Sequence, residues 1–131
     1  MPYYVDTSAF LKLVVEEADS TALRTWAESG DRDLFSCDLL RTEALRTARR
    51  HSTDALREAR DRLDAVTIIE VSTAICERAA DLDPAILRSL DALHLAAALS
   101  IGPELEGVLT YDDRLAAAGA LHGVAVIAPT D

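Results

Sequence analysis

The chain has 131 residues, half of them apolar, and a formal net charge of -10. That is the size of one domain with material for a real core, and an acidic balance that excludes broad attraction to phosphates while leaving room for a local basic groove. Its two cysteines, Cys37 and Cys76, form no CxxC and no His/Cys cluster, which argues against a zinc module or disulfide scaffold and fits a reducing compartment.

In chain order, Tyr3 to Val5 is a short β-rich run that stops at Asp6. Thr7 and Ser8 offer cap-type hydroxyls before Phe10, Leu11, Val14 and Val15, which share one helix face. A second helix is predicted from Asp19 to Ser29, closed by Gly30, and a strand from Leu34 to Cys37. Asp38 is placed to cap the next helix, whose stripe is Leu39, Leu40, Ala44, Leu45 and Ala48. Thr53 to Leu63 reads as a charged helix and Val66 to Val71 as a strand. A helix starts at Ser72, runs to about Leu82 and is interrupted at Asp83-Pro84.

Leu90 to Ser100 is apolar almost all round and predicts a buried central helix. Val108 to Thr110 and Val124 to Ile127 are the last predicted strands, with a helix from Asp113 to Ala118 between them. The alternation predicts an α/β layer fold with a parallel sheet. No linker, repeat or low-complexity block divides it. The start, MPYYVDTSAF, lacks a basic region followed by a long apolar run, and no stretch reaches 18 uninterrupted apolar residues, so the expected location is cytoplasmic.

The acids fall at telling places. Asp6 closes the first strand and Asp112 lies two residues beyond Thr110. Ligands of open parallel sheets sit outside the carboxyl ends of the strands, so both acids can face one crevice. Asp91 opens an otherwise apolar helix. It reads as an N-cap, as a buried charge that needs a partner, or as both. By spacing alone Glu43 fits a solvated helix face better than a site, while Asp6 fits a helix cap equally, and Asp112 a turn.

Taken together, VDTSAF, LLRTEALR, SLDALHLAAAL and LTYDDRLAAAG resemble, in order and spacing, the PIN-domain nucleases and specifically the VapC-type toxins of toxin–antitoxin pairs. The resemblance spans essentially the whole chain. It implies a single domain over residues 1–131, a three-layer α/β/α sandwich with a central, mostly parallel sheet of about five short strands. It also implies a metal-dependent endoribonuclease held inactive by an antitoxin, with a homodimer common among relatives. By the same resemblance Asp6, Glu43, Asp91 and Asp112 match the metal-binding acids. Ser8 matches a hydroxyl beside them and Thr110 the threonine before the fourth acid. Asp113 adjoins Asp112 as an alternative or helper.

Four carboxylates without histidine or thiolate suit a hard, oxygen-loving cation, Mg²⁺ or Mn²⁺, as one ion or two. Seven of the 13 basic residues lie between Arg41 and Arg62. Arg46, Arg49 and Arg50 share a helix with Glu43 and are RNA-contact candidates, whereas Arg57 to Arg62 fit a solvated helix with acidic partners. His94, three residues after Asp91, reads as a buried, hydrogen-bonded histidine rather than a general base. Trp26 reads as core or partner interface, having no second aromatic beside it. Leu11, Val14, Val15 and the helix from Arg41 to Arg50 offer a groove for an antitoxin tail.

Two other classes fit less well. A Mg²⁺-binding regulatory module of the phospho-acceptor kind needs a late lysine, and the only lysine is Lys12. A phosphohydrolase acting on DNA or nucleotides shares the acid chemistry, and only the resemblance favours RNA.

Overall fold

The computed structural model describes all residues from Met1 to Asp131. Five strands form one parallel sheet in the order β3-β2-β1-β4-β5. They are β1 (Pro2–Val5), β2 (Asp33–Cys37), β3 (Thr67–Ile69), β4 (Gly107–Leu109) and β5 (Val126–Ile127). The helices are α1 (Thr7–Val14), α2 (Ser20–Glu28), α3 (Asp38–His51), α4 (Thr53–Leu63), α5 (Thr73–Asp81), α6 (Ser89–Leu99) and α7 (Asp113–Leu121).

The central strand shows why two helical layers form. Side chains alternate across a strand, and β1 is apolar on both faces. Tyr3 and Val5 join the core built with α1, α2, α3 and α4, while Tyr4 joins the opposite core with Cys37, Ala92, Ala96 and Val108. Leu95 of α6 packs on Leu115 and Ala118 of α7. The expected three-layer α/β/α sandwich is therefore the observed one.

Differences from the sequence reading are local. β3 is shorter than Val66 to Val71 and β5 shorter than Val124 to Ile127, while α7 runs on to Leu121 before Gly123 turns the chain at φ +76°. Asp38 does not cap α3: it is the first helical residue, and its carboxylate accepts from Val71 N at 3.2 Å, tying the end of β2 to the segment after β3. Gly107 sits tightly between β1 and β5, where a Cβ would meet the Ala125 carbonyl oxygen at 3.1 Å and displace the end of the Ile127 side chain. No helix is long and apolar enough to cross a membrane.

Candidate active site

The site begins with a register. Val5 of β1 pairs with Leu109 of β4, and the chain leaves β1 to build opposite halves of the sheet on either side of this pair. Asp6 and Thr110, the next residue of each strand, therefore emerge side by side at the topological switch point. Asp6 N donates to Leu109 O at 3.1 Å, extending the ladder by one bond.

Three groups fasten the Asp6 carboxylate. Ser8 donates to it at 2.7 Å, the backbone N–H of Ala9 at 2.9 Å, and the Thr110 hydroxyl through a short bond. Asp6 is thus the N-cap of α1 as well as a strand-end acid. Thr7 and Ser8, expected as caps, turn their hydroxyls to acids instead. Ser8 Oγ also accepts from Tyr111 N at 3.0 Å, and Thr110 Oγ1 accepts from Asp112 N at 3.0 Å. Ser8 and Thr110 thereby lace the loops after β1 and β4 together. Asp112 caps α7, accepting from Arg114 N at 2.9 Å and Leu115 N at 3.1 Å. Asp112 is half-buried at the cap of α7, whereas Asp113 is exposed and already helical.

Asp91 does not cap its helix. Arg88 is the N-cap of α6, without a side-chain cap bond, and Asp91 follows in the first turn. There it benefits from the positive end of the helix dipole. Burial pushes its carboxyl above the ordinary aspartate value, and the negative charges of Asp112 and Asp6 push the same way. Burial likewise raises Asp6, against the Thr110, Ala9 and Ser8 hydrogen bonds and the field of His94. Asp6, Asp91 and Asp112, from three separate elements, therefore share one electrostatic neighbourhood. They do not close into a ligand set as they stand, for no three His, Cys, Asp or Glu side chains are grouped tightly enough to hold a metal ion.

Glu43 stands slightly apart, held by a relay. Its Oε1 accepts from the Thr7 hydroxyl at 2.7 Å and from His94 Nε2 at 2.8 Å. On the other ring edge, His94 Nδ1 lies 2.8 Å from the Tyr4 hydroxyl and 3.8 Å from Cys37 Sγ. Burial alone would raise Glu43, yet the His94 and Thr7 hydrogen bonds outweigh it and leave the carboxyl below its usual value. For His94, burial opposes the charged ring, but the hydrogen bonds to Cys37 and Glu43 prevail and raise it. His94 is 3 % exposed. It is the buried, hydrogen-bonded histidine anticipated from sequence, bonded to one of the candidate acids. The sequence offers Thr7 as a cap-type hydroxyl rather than as the partner of an acid, and Tyr4 only as part of the first β-rich run.

The donor set suits a hard divalent cation. It offers carboxylate and hydroxyl oxygens, no free thiolate, and acids whose mutual repulsion such an ion would relieve. Beside it, Ser8, Leu11, Lys12, Val15, Thr47 and Arg50 are among the residues lining a cleft of about 440 Å³. Of the antitoxin-groove candidates, Leu11, Val14 and Val15 all pack against the core, and Leu11 and Val15 also face this cleft. Arg46, Arg49 and Arg50 line an adjoining hollow on the exposed face of α3. Arg57 and Arg62 pair with Asp54 and Glu58 at 3.5 and 2.8 Å, in keeping with a solvated helix. Trp26 packs edge-on against Tyr3, ring centroids 4.8 Å apart, beneath Arg32.

Comparison with known proteins agrees with this architecture. The PIN domain family model matches residues 3–121. Ribonuclease VapC47 of Mycobacterium tuberculosis is 43% identical over 116 residues, covering 86% of this chain and 85% of its own. Ribonuclease VapC46 of the same species is 37% identical over 127 residues, 97% of each chain. The fold also superposes on a chain of a toxin–antitoxin complex from Klebsiella pneumoniae, with a TM-score of 0.73 and 20% identity over 98% of both chains. The chain belongs to the PIN-domain family, among its VapC-type members.

Proposed function

We propose that the chain is a metal-dependent endoribonuclease, the toxin of a toxin–antitoxin pair, and that Asp6, Asp91, Asp112 and Glu43 hold its cation. The observation that carries this reading is the side-by-side emergence of Asp6 and Thr110 at the β1/β4 switch point, with Thr110 tied both to the Asp6 carboxylate and to the backbone of Asp112. The VapC relatives bear the name ribonuclease, which favours RNA over DNA or nucleotides as the substrate.

Mg²⁺, with Mn²⁺ as a substitute, would supply charge that eases deprotonation of the attacking water and offsets negative charge gathering at phosphorus. The chain's own residues do the rest. Ser8 and Thr110 hold the Asp6 carboxylate in one orientation at the end of β1. Asp112 is fixed by the first turn of α7, with Asp113 beside it as a carboxylate in reserve. Asp91 offers a carboxylate that its neighbours make costly to ionise without a cation. Glu43 is supported by Thr7 and His94 and completes the oxygen set. Arg46, Arg49 and Arg50 meet RNA phosphates along α3 and offset the acidity of the chain.

The antitoxin reading draws on the Klebsiella complex and on the cleft beside Ser8. A partner segment laid over Leu11 and Val15 would bring a basic side chain within reach of the acids. Val15→Glu should weaken its binding while leaving RNA cleavage intact; unchanged affinity would remove Leu11 and Val15 from the interface.

The function is tested by incubating the chain and its Asp6→Asn variant with single-stranded RNA, structured RNA and DNA of matched sequence, in Mg²⁺. Cleavage of RNA by the wild type alone supports the reading. Equal cleavage of DNA would shift it to a broader phosphodiesterase, and cleavage by Asp6→Asn would remove the acid centre from the mechanism.

A further inference from the structure

A second cleft opens between the α5–α6 connection and α7. It has a volume of about 580 Å³, and its walls include Ile86, Leu87, Ala117 and Leu121 together with Arg88 and Arg114. Ile86 and Leu121 are among the few large apolar side chains exposed in the whole chain, at 89% and 62%. Neither arginine makes an ion pair, although Arg24, Arg57 and Arg62 all do. Two guanidinium groups from different elements thus share one apolar cleft without an ion-pair partner within 4 Å.

Their place in the chain is informative. Arg88 caps α6 three residues before Asp91, and its charge acts on the Asp91 carboxyl. Arg114 follows Asp112 by two residues in the first turn of α7. Whatever both arginines grip lies at the N-termini of two helices, beside two of the candidate catalytic acids. Helix N-termini favour anions, and the planar guanidinium matches a phosphate fork. The apolar walls suit a flat, weakly polar ring system better than a hydrated ion.

Resting on the ribonuclease reading, we infer that this cleft is a nucleotide subsite of the RNA substrate. Arg88 and Arg114 bind the phosphate next to the one that is cut, and the attached base lies against Leu87, Ala117 and Leu121. The subsite is separate from the α3 arginines and explains how a polyanion approaches an acid cluster on an acidic protein. A single strand is required, because a base paired in a duplex cannot enter the cleft.

The test uses the full chain in EDTA, where the proposed function predicts no cleavage, with fluorescein-labelled single-stranded 12-mer oligoribonucleotides of mixed sequence. Binding is read by anisotropy across a salt titration for wild type, Arg88→Gln, Arg114→Gln and the double variant, with thermal melts checking the fold. Each substitution should weaken binding by about tenfold and lower the salt slope by about one. Leu121→Asp should weaken binding by a like factor. In Mg²⁺, the arginine variants should raise KM for RNA cleavage more than they lower kcat.

Unchanged affinity and slope in the double variant would overturn the subsite while leaving the ribonuclease reading intact, provided the wild type still cuts RNA. A wild type that neither binds nor cuts RNA would overturn both. If Leu121→Asp instead lowers the molecular mass in solution without changing RNA affinity, the cleft is a protein interface and the inference is wrong.

Discussion

His94 Nε2 lies 2.8 Å from Glu43 Oε1, joining a buried ring on α6 to a carboxylate on α3 across the layer edge. The bond makes His94 a positioning residue for Glu43. Partners that orient metal-binding carboxylates typically matter 10- to 100-fold, so His94→Ala should lower RNA cleavage or Mn²⁺ affinity by roughly that factor. It also strands the Tyr4 hydroxyl, costing about 1–3 kcal/mol in urea unfolding. His94→Gln, which can still donate to Glu43, should recover part of the metal affinity. A variant with wild-type affinity would reduce His94 to a packing role.

The same bond sets a pH dependence. Glu43 is depressed in the folded chain, so its contribution to stability is present above the ordinary glutamate range and lost as pH falls through the lowered folded value. Urea midpoints taken down an acid series should therefore fall less steeply for Glu43→Gln than for wild type below about pH 4. Parallel slopes would contradict the depression.

Asp91 has the opposite sign. Its folded carboxyl is raised by burial and by the Asp112 and Asp6 charges, so ionisation opposes folding. The penalty is absent below the unfolded aspartate value and grows as pH rises through the raised folded one. Without metal, Asp91→Asn should melt higher than wild type at pH 7, with the gap closing toward about pH 3.5. Added Mg²⁺ should raise the melting point of the wild type but not of the variant. A metal-free variant less stable than wild type at pH 7 would refute the crowding of these acids.

Asp112 separates chemistry from capping. Asp112→Asn keeps an oxygen for the Arg114 and Leu115 N–H groups, whereas Asp112→Ala removes it. Both should abolish cleavage, but only the alanine variant should lose about 0.5–2 kcal/mol of stability. Equal destabilisation by both would mean that charge rather than the cap holds α7.

Arg46, Arg49 and Arg50 lie on the outward face of α3. Changing all three to Gln should raise KM for RNA and flatten its salt dependence, with kcat nearly unchanged. A fall in kcat alone would assign them another role.

The placement of several candidate residues is legible in the sequence, for reasons that differ by residue. Asp6 and Asp112 stand at strand ends, and a strand end can be read locally from where the β-rich run stops. The switch point follows from strand order, which the alternation suggested but could not fix until Val5 was seen to pair with Leu109. Asp91 was recognisable as an acid in an apolar helix. Its N-cap role failed because the helix starts earlier, at Ser89, where the connection from Pro84 brings Arg88 into the cap. Glu43 was unreadable from periodicity alone, for its partners Thr7 and His94 lie 36 and 51 residues away. Contacts of that separation are products of the layers, not of local pattern. The Arg88–Arg114 cleft was hidden for the same reason.

RNA cleavage that depends on a cation at Asp6, Asp91 and Asp112 is the core of the proposed function. Its most direct test is cleavage of one labelled RNA by wild type and Asp91→Asn, each in Mg²⁺ and in excess EDTA. The account predicts cleavage by the wild type alone, in Mg²⁺ or Mn²⁺ and not in EDTA. Equal cleavage under chelation, or by Asp91→Asn, would contradict it.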